Sequence, residues 1–127
     1  MAGILVDTSI WVAHFRRPQA TLQALLLNDQ ALCHELVVIE IACGTPPAPR
    51  ERTLAHLQNL RQSVIATAEE ILTLIEREAI AESGCGAVDA ALLASTLLTP
   101  GAQLWTADRS LSSLAQRMGV GFDHSRL

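Results

Sequence analysis

Short apolar runs alternate with longer helical stretches along the whole chain, and this exchange limits the possible folds more than any other feature. "GILVD" (3–7), "ALCH" (31–34), "SVIAT" (63–67) and "QLWTA" (103–107) read as strands. The stretches between them are too long for hairpins, so successive strands are expected to run parallel, joined by helical crossovers. Such a sheet is covered on both faces, which predicts an α/β fold with a mainly parallel central sheet flanked by helices.

The helical signals are local. Thr8 and Ser9 are good N-cap types and predict a helix from near Ser9 through Trp11, Val12 and Phe15, interrupted by Pro18. Residues 19–27 form a second helical piece. After the break "TPPAP" (45–49), Pro49 or Arg50 opens a polar helix ending near Leu60. Thr67 to Glu70 matches a T-x-x-E capping box, launching a helix whose expected buried stripe is Ile71, Leu72, Leu74, Ile75, Ala79 and Ile80. "SGCGA" (83–87) is a loop, 88–98 a helix, and Asp108 caps a helix over Arg109 to Met118. "VGF" (120–122) suits an edge strand. One segment is ambiguous. In "ELVVIEIACG" (35–44) the β-branched density favours a strand, whereas the length and the closing Gly44 suit a buried helix. Propensity alone leans to strand.

The chain has 127 residues, half of them apolar, which fits a single domain over 1–127 with a core of ordinary size. No apolar run reaches the ~20 residues of a membrane helix, and no basic segment precedes "AGILVDT", so neither a membrane span nor a signal peptide is expected. Cys33, Cys43 and Cys85 are odd in number and too widely spaced for a CxxC clip; they read as reduced thiols of a cytoplasmic protein, Cys43 as small core filler. Lysine is absent, which excludes a P-loop and a response-regulator receiver, both of which need one. The net charge of −4 repels a polyanion, so contact with nucleic acid requires a local arginine patch or cations held by carboxylates.

Four acids interrupt apolar surroundings: Asp7, Glu40, Asp89 and Asp108. Asp7 and Asp108 close strands at strand-to-helix turns, where Asp is a favoured cap contributing about 1 kcal/mol. Asp89 sits in a first helical turn, where the helix dipole favours a negative charge. Glu40 has no such reading. Val37, Val38, Ile39, Ile41 and Ala42 flank it, leaving no obvious wet face, and a buried lone carboxylate normally finds a partner or a metal. Ligands of open parallel sheets gather outside the carboxyl ends of the strands, so acids from neighbouring strands can meet there. Converging carboxylates need a cation, and an all-oxygen set without histidine favours Mg²⁺ or Mn²⁺ over Zn²⁺. The natural chemistry is metal-dependent phosphodiester hydrolysis.

"ILVDTSIWV" (4–12), "VVIEIACG" (37–44), "GAVDAALLAS" (86–95) and "LWTADRSL" (104–111) resemble, in order and spacing, a PIN-domain ribonuclease of the VapC type, the toxin of bacterial toxin–antitoxin pairs. The resemblance covers essentially the whole chain. It implies a Rossmann-like three-layer sandwich and makes 35–44 helical. It also implies a catalytic quartet of Asp7, Glu40, Asp89 and Asp108 binding Mg²⁺ or Mn²⁺, with Asp7, Asp89 and Asp108 as metal ligands. Water activated near Asp7 and Asp89 would attack RNA, while Thr8, Ser9 and Thr106 support the site. Ser110 stands where many relatives carry a further acid, which favours one ion over two. Arg16, Arg17, Arg50, Arg52 and Arg109 are candidate phosphate contacts. The resemblance also implies a homodimer and a small antitoxin, and the apolar "TLQALLL" (21–27) fits such partners. Two rivals are weaker. A scaffold that had lost catalysis should have lost an acid, and a haloacid-dehalogenase-type phosphatase needs D-x-D-x-T and a lysine.

Overall fold

The apolar runs enter the sheet for three residues or fewer. The computed structural model describes residues 2–124. Among these, β1 (Ile4–Val6), β2 (Ala31–Cys33), β3 (Arg61–Gln62) and β4 (Gln103–Trp105) form one sheet in the order β3-β2-β1-β4, every pair parallel. Leu5 lies opposite Leu32 on one side and Leu104 on the other, and all three are buried. Both central strands are buried at every position, as a sheet covered on two faces requires.

Seven α-helices join and flank the strands among the described residues: α1 (Thr8–Arg16), α2 (Ala20–Leu27), α3 (Glu35–Cys43), α4 (Arg50–Gln58), α5 (Ala68–Arg77), α6 (Ala87–Leu98) and α7 (Arg109–Arg117). The α/β sandwich expected from the alternation is therefore present. α6 is the most enclosed, with Ala90 to Thr96 all buried. The chain steps outward from β1 to β2 to β3 and then crosses back to β4. Right-handed crossovers put the helices of the outward and return paths on opposite faces. The path leaving β1 heads one way. The path leaving β4 heads the other, through α7 to Gly121, which bridges Leu104. Between those two strands the connections diverge, opening a crevice at their carboxyl ends.

Several local expectations need correction. Residues 63–67 are not a strand. Ser63 still donates its N–H to Cys33, but then the Val64 N–H turns to Thr99 Oγ1 and the Ala66 N–H to Ser95 Oγ, drawing the backbone off the sheet toward α6. Residues Glu35–Cys43 are helical, against the lean of propensity, because His34 caps them: its Nδ1 accepts the Leu36 N–H at 3.0 Å. The capping box at Thr67 and Glu70 forms as expected. The stripe behind it shifts, since Leu72 is 62% exposed and α5 stops at Arg77. Ala79 takes a left-handed conformation (φ 52°) and leads into a short 3-10 turn, Ile80–Glu82. "VGF" contributes one bridge rather than a strand. Cys43 is exposed at the end of α3 and fills no core.

Candidate functional site

The crevice at the end of β1 and β4 receives Asp7 first. Asp7 occupies the N-cap position of α1, yet its side chain makes no capping bond. Its Oδ2 instead accepts from Ser9 Oγ (2.8 Å) and Thr106 Oγ1 (2.7 Å), while Oδ1 accepts no hydrogen bond among the described residues. The residue is only 6% exposed. Each hydroxyl also accepts a backbone N–H: Ser9 from Ala107 (3.0 Å) and Thr106 from Asp108 (3.0 Å). Two hydroxyls thus tie the end of β1 to the turn after β4, with the carboxylate held between them. The capping reading of Asp7 is overturned by this geometry.

Asp108 holds two positions at once. Its Oδ1 caps α7 through the Leu111 N–H at 2.9 Å, and Oδ2 accepts no hydrogen bond among the described residues. Asp89, in the first turn of α6, accepts the Gly86 N–H only at a long 3.4 Å. Burial pushes its carboxyl above the usual range; the Gly86 N–H opposes this, and the charges of Asp7, Asp108 and Glu40 add to the rise. Asp89 therefore lies within the field of all three other acids, although the four come from separate segments. The ion pairs Arg77–Glu78 and Arg117–Glu78 involve none of them.

Glu40 departs from its sequence reading. It is exposed on α3, which buries Val37 and Ile41 one turn apart and turns Ile39 and Glu40 outward. Its Oε1 accepts from Thr8 Oγ1 at 2.6 Å, joining α3 to the start of α1. The inference that burial made Glu40 conspicuous fails, and its link to Thr8 takes that argument's place.

Cys85 was missed. Its Sγ and single oxygens of Asp89 and Asp108 lie within 4.8 Å of one another. Burial raises the thiol above its ordinary value, the Ser83 hydroxyl opposes this, and the two acids raise it further. The available signal was its position four residues before Asp89 in a glycine-flanked loop.

The donor set suits a hard divalent cation. Asp7 Oδ1 and Asp108 Oδ2 are left without hydrogen bonds, and Asp89 carries uncompensated repulsion that a cation would relieve. The arginines are less concentrated. Arg16 lines a groove of about 530 Å³ with Val12, Phe15, Glu40 and Ile41, and so stands beside one acid. Arg50 is turned to the Ala42 carbonyl at the foot of α3. Arg17 and Arg52 are exposed, as is Arg109 in the first turn of α7, next to Asp108. No helix among the described residues is long and apolar enough to cross a membrane.

Residues 4–116 match the PIN domain family. The chain is also similar to a protein described as Ribonuclease VapC32 from Mycobacterium tuberculosis. The identity is 44% over 117 residues, covering 92% of this chain and 94% of the relative, and is the same for strains CDC 1551 / Oshkosh and ATCC 25618 / H37Rv.

Proposed function

The chain belongs to the PIN domain family, and from that premise we propose that it is a Mg²⁺- or Mn²⁺-dependent endoribonuclease, the toxin of a VapBC-type toxin–antitoxin pair in the cytoplasm. The observation that carries this reading is the convergence on Asp89 of the charges of Asp7, Asp108 and Glu40, acids from three other segments. The near full-length likeness to a named ribonuclease supports the same substrate class.

In this reading Asp7, Asp89 and Asp108 hold the ion. A bound divalent ion lowers the pKa of a water ligand and offsets charge building on a phosphoryl oxygen. Ser9 and Thr106 keep Asp7 in one rotamer by occupying Oδ2, so Oδ1 is presented without further ordering cost. Glu40, steadied by Thr8, orients water at the exposed margin, where an RNA strand enters. Arg16, in the groove beside Glu40, and Arg109, next to Asp108, are the proposed phosphate contacts, with Arg17, Arg50 and Arg52 farther along the strand.

Partners follow from the same surface. The groove of Val12, Phe15, Ile41 and Pro46 beside Glu40 suits an apolar segment of a small antitoxin. Leu27, 87% exposed, and the neighbouring pairs Val64–Ile65 and Leu97–Leu98 offer apolar area for a homodimer. The test is to incubate purified protein with total RNA and Mg²⁺ or Mn²⁺ and to sequence the cut ends. Discrete ends that vanish with chelator support the reading. Intact RNA with either ion, from protein freed of any antitoxin, overturns it.

A further inference from the structure

We propose that Cys85 gives this pocket a second metal state: its thiolate, with the carboxylates of Asp89 and Asp108, holds a thiophilic divalent ion of the zinc class. The three donor atoms converge within 4.8 Å of one another. They come from a loop, the first turn of α6 and the cap of α7, so no single element dictates their meeting. The loop itself is held. Ser83 Oγ donates to the Ile80 carbonyl (2.6 Å) and accepts the Cys85 N–H (3.2 Å). Gly84 turns the chain at φ 86°, where a side chain would be strained and its Cβ would meet Ser110 Oγ at 3.5 Å. The thiol is thus directed by a built turn lying against α7.

A second observation points to a cation here. Asp7 is more than nine-tenths buried, and while Ser9 and Thr106 donate to its Oδ2, its Oδ1 accepts no hydrogen bond among the described residues. Thiolate is a poor ligand for Mg²⁺ and a strong one for Zn²⁺ and Cd²⁺. Three protein ligands with one open position match a common zinc arrangement. Binding exchanges the thiol proton, released to solvent, for a sulfur–metal bond. The pocket does not depend on the nuclease reading, but its consequence does: an ion of the zinc class excludes the hard ion and silences RNA cleavage.

The full chain titrated with Cd²⁺ alone, without RNA, tests this through the ultraviolet thiolate-to-cadmium charge-transfer band. The expected result is a band of one thiolate that is lost in Cys85→Ser and Cys85→Ala, weakened in Asp89→Asn and Asp108→Asn, and kept in Cys43→Ser. Zn²⁺ should displace Cd²⁺ and bind Cys85→Ser at least ~10-fold more weakly, the loss seen even for groups that only support a ligand. No band, a band that follows Cys43, or one indifferent to both aspartates overturns the three-donor site. Circular dichroism excludes a folding defect in each variant. Mg²⁺-dependent cleavage is scored separately, so a missing band with active enzyme sinks only this inference, and a band with inert enzyme sinks only the nuclease reading.

Discussion

The two sides of the acidic crevice are built differently. On the β1–β4 side, Asp7 is buried and fixed by two hydroxyls that also accept backbone N–H groups. On the α3–α6 side, Glu40 is exposed and held by a single hydrogen bond, and Asp89 is half-buried and held by a long one. One side is pre-ordered, and the other is left adjustable. Ordering a ligand in advance removes an entropic cost from binding, whereas a looser carboxylate can follow a moving substrate.

The largest effect should come from striking the ordered side. Asp7→Asn is expected to lower RNA cleavage by at least ~10²-fold in Mg²⁺, against about 10-fold for Glu40→Gln, measured as initial rates on one RNA. Equal losses would erase the distinction between the two sides. The hydroxyls sharpen it further. Thr106→Val removes a donor to Asp7 and an acceptor for Asp108 N–H, and should cost about 10-fold in rate. Thr8→Val removes only the bond to Glu40 and should cost a few-fold at most.

Stability probes the same contrast at smaller amplitude. In chelator, Asp89 is an acid whose charged form is disfavoured by burial and by three like charges. A raised carboxyl favours the fold at low pH and loses that contribution as pH rises through its folded value. At neutral pH without metal, Asp89→Asn should therefore be more stable than the parent in denaturant melts, and the gap should close when Mg²⁺ is added. A parent that is the more stable of the two in chelator would remove the repulsion argument.

The smallest effect concerns His34, which caps α3 beneath Glu40. Burial lowers its pKa, and Glu35 partly opposes this. With Nδ1 accepting from Leu36, the proton rests on Nε2, which faces Ser95 Oγ at 3.0 Å. A depressed histidine contributes stability in full above its ordinary value of 6.5 and loses it as pH falls below that toward the folded value. The loss, about 1 kcal/mol for a cap, should be followed by pH-dependent melts and should shrink in His34→Asn, which caps without titrating. An unchanged slope in that variant would shift the dependence to His14, also lowered by burial.

Legibility followed the range of the interaction. The capping box at Thr67 and Glu70, the cap at Asp108, and the enclosed helix after Gly86 rest on neighbours within a few residues, and each was readable. Residues 63–67 were not, because what pulls them from the sheet is Ser95 and Thr99, about thirty residues ahead. Nor was residue 40: the sequence shows apolar neighbours on both sides but not which arc of α3 meets the sheet. Cys85 escaped for the same reason, since its significance is the approach of Asp108 from another element.

What the sequence alone determined is the alternation, and with it the parallel sheet, together with the acid types that break the apolar pattern. These depend on periodicity and on the cost of placing charge among hydrocarbons, both properties of the linear chain. Only the tertiary structure decided that β1 and β4 are neighbours, which hydroxyls occupy Oδ2 of Asp7, and that a thiol joins Asp89 and Asp108. Those outcomes depend on strand order and crossover direction, which bring groups roughly a hundred residues apart to within hydrogen-bonding distance.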